Sequence, residues 1–430
     1  MPAPAGDGPP RGRRPGIAIG SAVALAVPGT LLHLSGTHPD ALVAAVVFGV
    51  AIVGAAFMLA WAAEAAQLDI SAGLALALLA LVAVLPEYAV DFVFTWKAGK
   101  DPATYAPDAL ANMTGGNQLL IGAGWSIVVL LAAYRLRRRR RRDVDPGPIA
   151  STEVALHRNH SVELAFLTLA TLYGLTLPLH RTLGLFDAVI LVTLFVAYLT
   201  RVFRAPSEEP DLVGPAASIG ALPAPKRRAA VAALFVGAIV VVLACAEPFA
   251  QSLVDTGRKF NIDDFLLISL VAPLASEAPE LLVAGMFAWR LNTNAGLGAL
   301  VSSKVNQWTL LVGTLPIVFA ISSGGLHGLP IDAVQREELF VTAAQSAYAV
   351  AVLANLRISV REAVTMLGLF LVQLVTKFPM FESIHTEARI SVGCVYLVLA
   401  AGIIFRQRRS VGPLLRDGLR SSYSELGAHH

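Results

Sequence analysis

Charge is what this 430-residue chain has least of: acidic and basic residues together make up 15% of it, against 56% hydrophobic residues. With a mean hydropathy of +0.66, it lies outside the range of soluble globular domains. The net charge of +3 carries no nucleic-acid signature, because the basic residues gather in short clusters beside apolar runs. Cysteine occurs twice, at Cys245 and Cys394, inside apolar runs and without ligand spacing. That pattern excludes a thiolate metal centre and leaves the redox compartment unread. The histidines, scattered over loops and span ends, form no zinc motif. Residues 1–15 are basic and Pro/Gly-rich, with no small-residue cleavage pattern after the first span. They read as a disordered cytoplasmic tail, not a cleaved signal.

What the chain has is apolar runs long enough to span a membrane, about 20 residues each. Twelve begin near Gly16, Ala41, Ser71, Asp108, Ser161, Leu183, Ala229, Asp263, Ala295, Leu339, Arg361 and Ile390. An all-α polytopic membrane protein of about 12 helices is predicted. Basic clusters orient it: Arg11, Arg13 and Arg14 before span 1, Arg137 to Arg142 after span 4, and Arg201, Arg204, Lys226, Arg227 and Arg228 between spans 6 and 7. Arg357 and Arg361 lie between spans 10 and 11, and Arg406, Arg408 and Arg409 follow span 12. With an even number of spans these clusters share one side, which the positive-inside rule makes cytoplasmic. Both termini are therefore expected inside, in the cell membrane, with lipid headgroups as the partner of the basic run and no nucleic acid.

Two polar units interrupt the apolar pattern. Leu85-Pro86-Glu87 lies deep in span 3 and Ala278-Pro279-Glu280 deep in span 8. A carboxylate at that depth is costly unless it is paired, hydrated or holding an ion, so each marks a functional site. The next span of each half carries a hydroxyl, then an amide four residues on: Thr114 and Gln118, Ser303 and Gln307. Spans 3 and 8 cross in opposite directions, so spans 2 to 6 and 7 to 11 are expected to be inverted five-helix repeats with broken helices at a midplane site. A weaker echo, Glu64 near the end of span 2 and Glu247 near the end of span 7, supports that pairing. The expected divisions are a tail (1–15), an extra first helix (16–40), a first repeat (41–203), a cytoplasmic linker (204–228), a second repeat (229–380), an extra last helix (381–406) and a cytoplasmic tail (407–430).

Proline in a helix leaves the carbonyl four residues earlier without its amide, so Pro86 and Pro279 should free those of Val82 and Ala275. Glu87, Glu280, Thr114, Gln118, Ser303 and Gln307 then complete an all-oxygen set suited to a hard divalent ion such as Ca²⁺. The plainer alternative is that these groups only join neighbouring helices. Duplication of the whole set argues for the ion.

At these residues the chain resembles the calcium/cation antiporter superfamily, which includes the sodium/calcium and calcium/proton exchangers. The resemblance covers residues 71–129 and 263–321, each pairing a Pro-Glu helix with a Gly/Ser/Asn-rich one. It implies a secondary antiporter, not an enzyme, exporting Ca²⁺ in exchange for Na⁺ or H⁺ by alternating access. It also implies that Glu87 and Glu280 are the central ligands, joined by Thr114 and Ser303, with no cofactor beyond the transported ions. Sodium-coupled members usually carry Gly-Thr-Ser before Leu-Pro-Glu. This chain has Ala83 and Val84 in one half and Ser276 and Glu277 in the other. The missing hydroxyls weaken Na⁺ as the coupling ion, and the extra carboxylates Asp91 and Glu277 strengthen H⁺; both remain open. Lys304, alone inside a repeat helix, is expected either to pair with Glu277 or Asp91, or to stand as a tethered cation balancing Glu87 and Glu280. A cation channel, or a membrane enzyme using the glutamates as acid and base, are the alternatives. Inverted duplication disfavours the first, and the lack of a nucleophile or metal motif disfavours the second.

Overall fold

Hydrocarbon offers backbone groups no water to bond, so membrane-spanning runs must close their hydrogen bonds internally, as helices. The computed structural model describes residues 15–427 apart from 38, 70–84, 141–152, 206–211, 213, 261–263 and 379–383. Helices α1 (Pro15–Ser35) and α2 (Ala41–Ala66) pack together, and α3 (Leu85–Lys100) follows the undescribed residues 70–84. Next come α4 (Pro102–Leu119), α5 (Ser126–Arg140), α6 (Ser161–Gly174), α7 (Leu185–Val202) and the short α8 (Pro215–Gly220). The second half comprises α9 (Ala224–Phe260), α10 (Asp264–Trp289), α11 (Thr293–Asn306), α12 (Val312–Ser323), α13 (Ala333–Val352), α14 (Val360–Val375) and α15 (His385–Arg406). Two short helices, α16 (Arg408–Leu419) and α17 (Tyr423–Gly427), close the chain.

Eight described helices are long and apolar enough to cross a membrane; α10, bent by 57° between Leu266–Ala278 and Glu280–Trp289, makes a ninth. The expected twelve are not reached among the described residues, for local reasons. Only part of span 3 is described, as α3; α14 has 16 residues; and α13 carries Glu337, Glu338 and Gln345. Two antiparallel strand pairs join loops of the two halves. In one, β1 (Glu153–Ala155) meets β4 (Arg357–Ser359); in the other, β2 (Thr182–Leu183) meets β3 (Leu329–Pro330).

Large apolar side chains lie on the outer surface as well as in the core, and charged ones are buried. Val46, Val196, Val236, Leu243, Val398 and Phe405 are exposed, whereas Glu87, Asp91, Glu277, Lys304, Gln307 and Glu338 are buried. That distribution fits a lipid solvent, and the chain is an integral membrane protein. Around the polar centre, α3 packs on α4 and on α12, while α10 packs on α11 and on α4. The crossing of α4 and α10 is close because Gly115 faces the Ser269 carbonyl, where a Cβ would collide with it. In both halves the second helix passes through a π turn: Leu120–Trp125 between α4 and α5, and Gln307–Leu311 between α11 and α12.

Candidate cation-binding site

Glu87 stands in the first turn of α3, its side chain buried, and its carboxylate reaches α4 at Gly116. A Cβ on Gly116 would lie 2.8 Å from Glu87 Oε1, so a side chain there would displace the carboxylate. Across the interface, Gln307 opens the second π turn and donates from Nε2 to both Glu87 oxygens, each at 3.2 Å. The same Nε2 donates to Glu277 Oε1. One amide thus ties Glu87 of the first half to Glu277 of the second, and the two carboxyls are themselves in hydrogen-bonding contact. Two carboxyls in contact are stabilised by a proton or a cation held between them.

The acid that meets Glu87 is therefore Glu277, one turn ahead of Glu280 on the same face of α10. Glu280 is half-buried and interacts with Glu87 and Glu277 through space, with no hydrogen bond to either among the described residues. Ala275 lies four residues before Pro279, where α10 bends. Val82 lies outside the described residues. Ser276 Oγ donates back to the carbonyls of Ala272 and Pro273, both at 3.2 Å. Thr114 does the same, to Leu110 at 2.8 Å and Ala111 at 3.3 Å, which leaves its oxygen lone pairs available. Asp91 accepts from Asn112 Nδ2 at 2.7 Å.

Several buried oxygens in this region have no hydrogen-bond partner among the described residues: Glu277 Oε2, Glu280 Oε2, Asp91 Oδ2, Ser303 Oγ and Gln307 Oε1. Each buried polar atom left unsatisfied costs about 1–3 kcal/mol, so a set of acceptors with nothing to accept from is suited to a cation. Among the described residues no three His, Cys, Asp or Glu side chains stand together as a metal site. A cation here would rely on amide and hydroxyl oxygens beside the carboxylates, which is a hard-ion ligand set.

Gln118 goes elsewhere. Its Nε2 donates to Glu338 Oε2 at 2.9 Å and Thr342 Oγ1 at 2.8 Å, and its Oε1 accepts from Lys377 at 3.1 Å. Glu338 is fully buried and pairs with Lys377 at 3.0 Å and with Arg389 at 2.9 Å. This network links the first repeat's amide to α13, to the residue just past α14, and to α15. Lys304 pairs with neither Glu277 nor Asp91. Its ammonium donates to the backbone carbonyl of Asn117 at 2.8 Å and to Asn117 Oδ1, and sits 5.4 Å from the Trp308 ring centroid.

The family described as sodium/calcium exchanger protein matches residues 41–204 and 230–378. The chain belongs to this family. No curated protein matches it. Among solved structures, this exchanger is similar to the H⁺/Ca²⁺ exchanger CAX, at 39% identity over 97% of this chain and 99% of the other, with a TM-score of 0.86. It also shares a fold with YfkE, at 15% identity over 85% of this chain and 99% of that one, with a TM-score of 0.60. It is thus a transmembrane antiporter of the calcium/cation antiporter superfamily.

Sequence reasoning did not reach Asn117, Asn112 or the Glu338 network of this exchanger. Glu338 carried a usable signal, an acid at the start of an apolar run. Asn117 carried none beyond its place beside Gln118, because its role depends on a π turn that no residue pattern announces.

Proposed function

We propose that this antiporter moves Ca²⁺ out of the cell in exchange for H⁺, with Glu87, Glu277, Glu280, Gln307 and Ser303 holding the two ions in turn. The observation that carries the reading is the Gln307 amide bridging Glu87 and Glu277 amid buried, unpartnered oxygens. The carboxyl pair takes protons in one state, and in the other Ca²⁺ recruits the free oxygens and the carbonyl of Ala275. Two features support H⁺ over Na⁺. Before the two Pro-Glu pairs the chain has Ala83, Val84 and Glu277 where hydroxyls would serve Na⁺. In addition, the relative similar over its full length at 39% identity is an H⁺/Ca²⁺ exchanger.

The five-helix halves act as inverted repeats, and alternating access rocks them about the shared site. The two π turns, one in each second helix, support such a repeat. Both termini face the cytoplasm, which follows from the distribution of arginine. Family members are transporters, and no catalytic role is assigned to the glutamates.

The test is Ca²⁺ uptake into proteoliposomes under a pH gradient and, separately, under a Na⁺ gradient. The pH gradient is expected to drive uptake. Uptake driven by Na⁺ alone would overturn the choice of coupling ion, and uptake driven by neither would overturn the exchange reading.

A further inference from the structure

Between hydroxyl and amide, the second helices of the two halves differ at one position that bears charge. Aligning Thr114-Gly115-Gly116-Asn117-Gln118 with Ser303-Lys304-Val305-Asn306-Gln307 places Lys304 opposite Gly115. The paired asparagines then take unlike donors. Asn306 Oδ1 accepts a neutral hydroxyl, that of Tyr88, at 3.2 Å, whereas Asn117 accepts the Lys304 ammonium.

The ammonium is held as a bound ion would be. It is fully buried, makes no ion pair within 4 Å among the described residues, and rests on two carbonyl-type oxygens of one residue and on an aromatic face. The carbonyls of Asn117 and Gln118 stand just ahead of the π turn at Leu120–Trp125. Both carbonyls there are taken by side chains from other helices: Asn117 by Lys304, and Gln118 by Gln345 at 3.3 Å. Four buried or half-buried acids, Glu87, Asp91, Glu277 and Glu280, lie in this region, and Lys304 is the basic residue interacting with Glu87 and Glu277.

We propose that the Lys304 ammonium is a tethered ion filling a monovalent-cation subsite built from the Asn117 carbonyl, Asn117 Oδ1 and the face of Trp308. Lys304 is then a specificity-determining residue: its ammonium stands where a Na⁺ or K⁺ would otherwise sit, and makes exchange independent of both. The inference rests on the exchange reading above, and it concerns only which monovalent ions that exchange needs.

The experiment measures pH-driven Ca²⁺ uptake with choline, K⁺ or Na⁺ present equally on both sides of the vesicle. It is paired with the thermal midpoint of the purified protein in the same salts. The parent should transport equally in all three, with a midpoint that does not depend on the cation. Lys304→Met should lose uptake roughly tenfold in choline and recover it in Na⁺ or K⁺, with a midpoint that rises only in those salts. Lys304→Arg, which keeps the charge, should resemble the parent. A Met variant indifferent to Na⁺ and K⁺ in both measurements overturns the subsite, as does a parent that requires either ion. Should the Met variant fail to fold in choline, recovery of folded protein in Na⁺ or K⁺ supports the tether, and failure in every salt overturns it. If the parent shows no pH-driven uptake at all, the exchange reading fails, and the thermal midpoints still decide the role of the ammonium.

Discussion

Replacing Glu87 by Gln removes a charge from a site where Gln307 already donates to that carboxylate. The expected result is an expressed, folded protein with no Ca²⁺ exchange, read as vesicle uptake; Glu280→Gln should do the same. Uptake by the double variant would remove both residues from the transport site. Gln307→Ala should lower Ca²⁺ affinity by roughly tenfold, since it unties two carboxyls at once. Asn306→Ala should cost less, because Asn306 sits about 100° round the helix and accepts from Tyr88 instead. Equal losses in a Ca²⁺ titration would show that Gln307 is not the ligand-orienting residue. Much of this was legible in the chain, because a glutamate after a proline inside an apolar run has few roles other than binding. That Glu277, and not Glu280, touches Glu87 was not legible, since the choice depends on the rotation of a bent helix.

Helices meet here at glycines. Gly115 lies against the Ser269 carbonyl, and a methyl group there must part α4 from α10. Gly115→Ala is expected to destabilise the protein by about 1–3 kcal/mol, as overpacking does, seen as a lower thermal midpoint. Gly116→Ala pushes on Glu87 alone, so it should reduce transport with a smaller effect on the midpoint. At the far end of α2, the Asp69 carboxylate accepts from Arg227 at 2.6 and 2.9 Å and from Arg228 at 3.0 Å. The Arg227 hydrogen bond, with Arg228 beside it, brings its pKa from 3.8 down to about 2. A depressed carboxylate contributes stability that is fully present above its unfolded pKa of about 3.9 and is lost as pH falls through about 2. Asp69→Asn should therefore lower the thermal midpoint equally at pH 5 and pH 9. A loss that changes over that interval would assign the effect to another group. The helices themselves were readable from apolar length, but α13 and α14 fall short as spans, since one carries a buried network and the other is short.

Across the described residues, apolar side chains line the outer surface as well as the core, with a few buried carboxylates and amides among them, an arrangement that composition foretold and only packing could locate. On the proposed orientation, residue 408 lies on the cytoplasmic side and the exposed loop at Leu326 on the other. With Cys245 and Cys394 changed to serine, single cysteines at 326 and 408 should react with an impermeant maleimide from opposite sides of an oriented vesicle; reaction from the same side would break the inverted topology. If Ca²⁺ and H⁺ compete for one set of buried oxygens, Ca²⁺ binding must displace protons. Ca²⁺ added to purified protein in weakly buffered solution should release protons in proportion to the Ca²⁺ bound, and the Glu87→Gln, Glu280→Gln double variant should release none. Ca²⁺ binding with no proton release would contradict the account.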